Sequence, residues 1–150
     1  MNMKSNRGYF GIGIYMPKTE QNIGTLWRSA FCFGASYIFT IGRRYKKQCS
    51  DTVQAFRHIP LIEYPSFQSF IETRPMDAQI VAIENCSGAK EIGSFCHPER
   101  AIYLLGAEDN GIPTSILEQT NHTIILPGRF CLNVSVAGSI VMFDRLSKRT

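Results

Sequence analysis

Two hydrophobic patterns alternate along the chain. In one, apolar residues follow each other almost without interruption; in the other they recur every three or four positions. Tyr9–Tyr15 is aromatic and β-branched with glycines between, which predicts a strand. Asn22–Gly34 carries Ile23, Leu26, Trp27, Ala30, Phe31 and Gly34 on one helical face. Tyr37–Ile41 and Leu61–Tyr64 are short apolar strands, and Ser66–Thr73 is a short helix stopped by Pro75. Ala78–Glu84 and Ala101–Leu105 are the apolar runs expected of central strands buried on both faces. Ser115 with Glu118 has the spacing of a capping box, and Thr123–Leu126 is a further strand. Asn133–Leu146 closes the sequence as a helix that is apolar around most of its circumference. Strand–helix alternation with continuous apolar strands predicts an α/β fold, a mostly parallel sheet with helices on both faces. No internal repeat or linker divides residues 1–150, so one domain is expected.

Composition adds two points. Charged residues make up 19% of the 150, below the roughly 25% of an average soluble domain, and 44% are hydrophobic. A small domain with so few charges has surface to hide, which points to self-association. The net charge of +4 is unevenly spread: residues 1–75 carry ten Lys/Arg against four Asp/Glu, and residues 76–150 carry six against eight. A polyanion would meet its cations in the first half, above all in Arg43, Arg44, Lys46 and Lys47, which flank a tyrosine able to stack on a base. The N-terminal residues are polar, and no apolar run approaches the roughly 20 residues that span a bilayer. Five cysteines without a C-x-x-C pair are expected to be reduced, mostly buried thiols of a cytoplasmic protein. With His58, His97 and His122 scattered, no metal site is expected.

Parallel sheets bind ligands at the carboxyl ends of their strands, so the loops after Tyr15, Leu105 and Leu126 are where chemistry is expected. Gly11 and Gly13 lack the third glycine of a dinucleotide fingerprint, since Met16 stands there, and they lie inside a strand pattern. No Walker motif and no Ser-His-Asp set is present. Asn22 opens a helix on which Arg28 projects away from the apolar face, one turn beyond Gly24. Gly106 and Gly111 bracket a loop carrying Glu108, and the segment Leu126–Ser135 leads into the N-terminus of the last helix, with its unpaired N–H groups. Taken singly, each segment is also explained as a helix cap, a solvated arginine or a plain turn.

Together, in this order, the three segments resemble the motifs of the SpoU/TrmH family of RNA ribose methyltransferases of the SPOUT superfamily. The first motif matches as Asn22-x-Gly24-x-x-x-Arg28, the second as Leu105-Gly106-x-Glu108-x-x-Gly111-Ile112, and the third as Leu126-Pro127 followed by Leu132-Asn133-Val134-Ser135. The resemblance implies a minimal member whose C-terminal part forms a deep trefoil knot. It implies S-adenosylmethionine as cofactor, with Ile83, Gly106, Leu126, Cys131 and Leu132 lining its site. It implies a homodimer packed through the last helix, and methyl transfer to a ribose 2′-hydroxyl. Arg28, Asn22, Glu108 and Asn133 are the catalytic candidates. Arg28 would bind RNA and stabilise the developing alkoxide, because a guanidinium is a poor base. The family usually has serine where Cys131 stands, a departure that bears on activity. Transfer RNA is the expected substrate and ribosomal RNA the alternative. A catalytically weak RNA-binding dimer and a nucleotide-binding enzyme of other chemistry are the competing classes.

Overall fold

The computed structural model describes residues 8–43, 58–107, 110–129 and 131–149. Seven strands form one sheet, parallel at every pairing, in the order β3-β2-β1-β6-β4-β7-β5. They are β1 (Tyr9–Tyr15), β2 (Tyr37–Ile41), β3 (Leu61–Tyr64), β4 (Gln79–Ile83), β5 (Lys90–Glu91), β6 (Arg100–Gly106) and β7 (His122–Ile125). The helices are α1 (Glu20–Phe33), α2 (Phe67–Thr73), α3 (Thr114–Leu117) and α4 (Val134–Lys148). The alternation of side chains along β6 divides the core in two. Ala101, Tyr103 and Leu105 join Ile23, Leu26 and Trp27 of α1 and Val141 and Met142 of α4. Ile102 and Leu104 join Phe39, Tyr64, Phe70 of α2 and Ile116 of α3.

Gly11 and Gly13 now have a structural reason. They pair in register with Tyr37 and Phe39 of β2, whose rings lie across β1, and a Cβ on either glycine would collide with a ring. The G-x-G pair makes room for aromatic side chains. Gly138 plays a similar part in α4: a Cβ there would lie 2.6 Å from Leu26 Cδ1 and 3.0 Å from Leu105 Cδ1.

Several local expectations are corrected. Helix α1 begins before Asn22, because Thr19 is its N-cap and accepts a hydrogen bond from the Asn22 N–H at 3.4 Å. Gly34 is no part of the apolar face; at φ 84° it ends α1 as a left-handed cap. Ser115 and Glu118 form no capping box, because Pro113 starts α3 with its φ already set. Strand β5, with only Lys90 and Glu91 at the sheet edge, has no apolar pattern to betray it. Nor are the thiols mostly buried: Cys32, Cys96 and Cys131 are exposed and Cys86 is half-buried, all four free. Cys32 lies on the outer side of α1 and the others lie in loops; Cys49 falls outside the described residues.

At the amino end of β6 a polar network fastens the end of α4 to the sheet. His97 Nδ1 meets the Tyr103 hydroxyl at 2.7 Å and its Nε2 meets Asp144 Oδ2 at 2.7 Å. Lys148 Nζ lies 2.8 Å from the same Asp144 oxygen. Burial pushes the His97 imidazole below its ordinary pKa, and the Asp144 partner only partly restores it. The Asp144 carboxyl is raised by burial, but Lys148 and His97 outweigh this and hold it below the ordinary range. A depressed histidine stabilises the fold above about pH 6.5 and loses that contribution as pH falls. The unfolding midpoint is therefore expected to drop between pH 7.5 and 5.5, with a slope of at most about 1.4 kcal/mol per pH unit from this one group. His97→Gln should flatten that segment, while the Asp144 contribution, still supported by Lys148, is lost only below about pH 4, as pH falls toward its depressed pKa. An unchanged slope in the variant would assign the acid sensitivity elsewhere.

Candidate functional site

Strands β4, β6 and β7 end side by side, and the loops leaving them enclose a cavity of about 720 Å³. The volume suits a nucleoside-sized ligand. Ile83 closes β4 and Gly106 closes β6; Leu126, Cys131 and Leu132 come from the loop between β7 and α4. All five residues expected at the cofactor thus line one cavity. Gly106 is required there by close backbone approach, since a Cβ would stand 2.8 Å from the Gly111 carbonyl carbon and 2.9 Å from its Cα. The Gly111 N–H donates to the Ala107 carbonyl at 3.1 Å, folding the loop back on itself.

The first and third motifs meet at the helix ends. Asn133 is the N-cap of α4: its Oδ1 accepts from the Ser135 N–H at 2.9 Å and from the Ser135 hydroxyl at 2.5 Å. Its Nδ2 donates to Asn22 Oδ1 at 3.0 Å. Because Thr19 does the capping of α1, the Asn22 side chain is left to make this contact across 111 positions of sequence. Ser139 extends the seam, donating to the Ser135 carbonyl at 2.8 Å with Ser29 Oγ 3.0 Å away.

Arg28 is exposed on α1, does not line the cavity, and makes no hydrogen bond or ion pair with any other described residue. It follows Asn22 by about 9 Å of helix axis. Helical side chains lean toward the N-terminus over residue i−4, which here is the buried Gly24, a position with no side chain to fill that space. Arg43 is exposed too, but its Nη1 is engaged: it donates to the Pro17 carbonyl at 2.8 Å and to the Lys18 carbonyl, bracing the β1–α1 loop. That loop, with Gly42, Arg43 and the shared residues Ala107, Asn110 and Gly111, walls a second cavity of about 420 Å³. Met16, at φ 50°, turns the chain there and donates its N–H to the Ile41 carbonyl at 2.8 Å. Glu108, Arg44, Lys46 and Lys47 lie outside the described residues.

Sequence reasoning missed Glu84. It lies one residue past β4 and lines the larger cavity, the one carboxylate among the described residues that do. Its Oε2 accepts the Ile112 N–H at 2.7 Å and its Oε1 accepts its neighbour Asn85 N–H at 3.0 Å. The available signal was a lone acid directly after an apolar strand at the ligand-binding edge. Among the described residues no group of three or more His, Cys, Asp or Glu could hold a metal ion, and no helix is long and apolar enough to cross a membrane.

Comparison with known proteins gives a consistent result. The sequence matches the model of the SpoU rRNA methylase family over residues 10–143. It is 26% identical, over 136 aligned residues, to the tRNA (guanosine(18)-2′-O)-methyltransferase TARBP1 of Mus musculus; the match takes in 82% of this chain and only 8% of that relative. Among solved structures, the AdoMet-bound rRNA methyltransferase from Sinorhizobium meliloti superposes with a TM-score of 0.82 at 21% identity, over 99% of this chain and 62% of that one. A structure concerned with 2-OH methylation of C/U34 on tRNA superposes with a TM-score of 0.81 at 23% identity, over 95% of this chain and 97% of that one. These superpositions establish the α/β fold.

Proposed function

The chain belongs to the SpoU rRNA methylase family, and from that premise we propose that it transfers a methyl group from S-adenosylmethionine to a ribose 2′-hydroxyl of RNA, with transfer RNA the favoured substrate. The observation that carries this reading is the Asn22–Asn133 contact, which joins the first motif to the third, where Leu132 and Val134 on either side of Asn133 line the cavity. The cavity fits the cofactor: apolar walls from Ile83, Leu105 and Leu126 suit an adenine ring, and Gly106 lets backbone groups reach it. S-adenosylmethionine supplies a methyl group already activated by its sulfonium. The chain's own task is to exclude water, align the acceptor hydroxyl and stabilise the charge left as its proton departs. Asn133 and Asn22 hold the rim in place. Arg28 offers a charged donor to the adjacent phosphate and the developing alkoxide. The second cavity shares Ala107, Asn110 and Gly111 with the first, which gives an acceptor nucleotide an entry beside the cofactor.

The same reading includes the C-terminal knot, in keeping with the way the loops after β6 and β7 converge on one cavity. It also includes a homodimer acting on RNA in the cytoplasm. Val136, Ile140 and Phe143 form an exposed apolar stripe at helical spacing on α4, with Phe143 60% exposed. Such a stripe favours a partner surface, here a second copy of the chain. Sedimentation that finds only the 16.9 kDa species at micromolar concentration would remove the dimer.

The direct test uses a methyl-labelled cofactor with separate tRNA and rRNA pools, followed by nucleoside mass spectrometry. Label on a 2′-O-methyl nucleoside from tRNA is expected. Label on a base overturns the ribose assignment, and label in rRNA alone changes the substrate. Binding of both RNA and cofactor without transfer would favour the RNA-binding dimer, the reading that Cys131 in place of serine supports.

A further inference from the structure

We propose that the Glu84 carboxylate binds the vicinal ribose hydroxyls of the adenosyl group, an assignment that rests on the methyltransferase reading above. Glu84 extends from the end of β4, the central strand between β6 and β7, into the space where their loops converge. Each carboxylate oxygen accepts one backbone N–H, Oε2 from Ile112 and Oε1 from Asn85. An ionised carboxylate has about four acceptor sites, so each oxygen keeps a lone pair for another donor. Two adjacent acceptors on a rigid fork match two adjacent hydroxyl donors.

Three features separate this from a plain structural clamp. No Lys, Arg or His pairs with Glu84 among the described residues, so its charge is met only by backbone donors and by whatever enters the cavity. The loop is shaped around it: Gly111 stands at φ 59°, and a Cβ there would press on the carboxylate. The two N–H bonds also fix the side chain in advance, so little rotamer freedom is lost when a ligand arrives. Glu108, the acid that the sequence motif singles out, belongs to the loop after β6; Glu84 reaches the cavity from the end of β4 itself.

The test is calorimetric and needs no turnover. S-adenosylhomocysteine and its 2′-deoxy and 3′-deoxy counterparts, with S-adenosylmethionine alongside, are titrated into the full chain, the wild type and Glu84→Ala, with Glu84→Gln as a milder replacement. The wild type should prefer the diol over either deoxy ligand by about tenfold to a hundredfold, the loss expected when a charge-assisted hydrogen bond is removed. In Glu84→Ala this preference should fall toward one, and in Glu84→Gln to an intermediate value. Equal weakening of all three ligands, with the preference intact, makes Glu84 a loop clamp and overturns the proposal. A change in the preference for S-adenosylmethionine over S-adenosylhomocysteine, without a change in the diol preference, transfers the carboxylate to the sulfonium and overturns it as well. Equal wild-type affinity for diol and deoxy ligands overturns it without any variant. A wild type that binds none of these ligands rejects the cofactor itself, which is the failure of the underlying reading and distinct from the rest.

Discussion

Arg28→Ala should lower single-turnover methylation by about 10²–10³-fold, the effect of removing one preorganised donor from a developing oxyanion. The affinity for S-adenosylhomocysteine should stay within about twofold, because Arg28 does not line the cavity proposed for the cofactor. No interaction with another described residue is lost by the truncation, and the residue is exposed, so the unfolding midpoint should hardly change. A guanidinium has no basic lone pair to offer, so the role proposed for the residue is attraction rather than taking the proton. Arg28→Lys should therefore recover part of the rate through its charge, but not all of it, since the ammonium cannot reproduce the planar fork. Wild-type turnover in Arg28→Ala would refute the assignment. A matching loss of cofactor affinity would place the residue in the cofactor site instead.

What the sequence made legible follows from which interactions are local. The strands announced themselves because residues such as Ile102, Tyr103 and Leu104 are buried on both faces and must all be apolar. The ligand loops could be placed because a parallel sheet offers its crevice at one end, and five expected lining residues do meet there. Contacts across long sequence separations were not legible. Nothing near Asn22 announces Asn133, and the cap at Thr19 that releases the Asn22 side chain differs from it by only three positions. Glu84 was hidden for the same reason: a single acid after a strand looks like any strand end until Ile112 donates to it. The basic stretch after β2 gave a different lesson. Arg43 has the sequence character of an RNA ligand, yet part of its guanidinium is engaged in holding the Pro17 and Lys18 carbonyls.

The largest effect on stability is expected at Arg145, a charged residue only 4% exposed. Its Nη1 donates to the Pro98 carbonyl at 2.6 Å and to the Tyr103 hydroxyl at 3.2 Å, and its Nη2 to the Glu99 carbonyl at 2.7 Å. The guanidinium also lies 5.1 Å from the centre of the Phe10 ring. Burial depresses its pKa, which Tyr103 partly opposes. Arg145→Ala leaves the Pro98 carbonyl without this donor and opens a void beneath α4. The Glu99 carbonyl keeps a donor in Arg149, at 3.1 Å. Relief from holding a charge out of water offsets part of the loss. The net cost should be about 3–4 kcal/mol, a large share of the 5–15 kcal/mol of a typical domain. Arg145→Met refills the void and should recover about 1 kcal/mol of this, since the carbonyl stays unmet. Urea unfolding measures both, and a cost below about 1 kcal/mol for the alanine variant would refute the argument. The cavity proposed for the cofactor should hardly notice while the variant remains folded. Val134 and Ala137, the α4 residues in the cavity wall, are positioned from the other end of the helix, where Asn133 caps it and reaches Asn22. Cofactor affinity measured well below the unfolding midpoint should therefore match the wild type, and a fall in that affinity would mean that α4 transmits strain along its whole length.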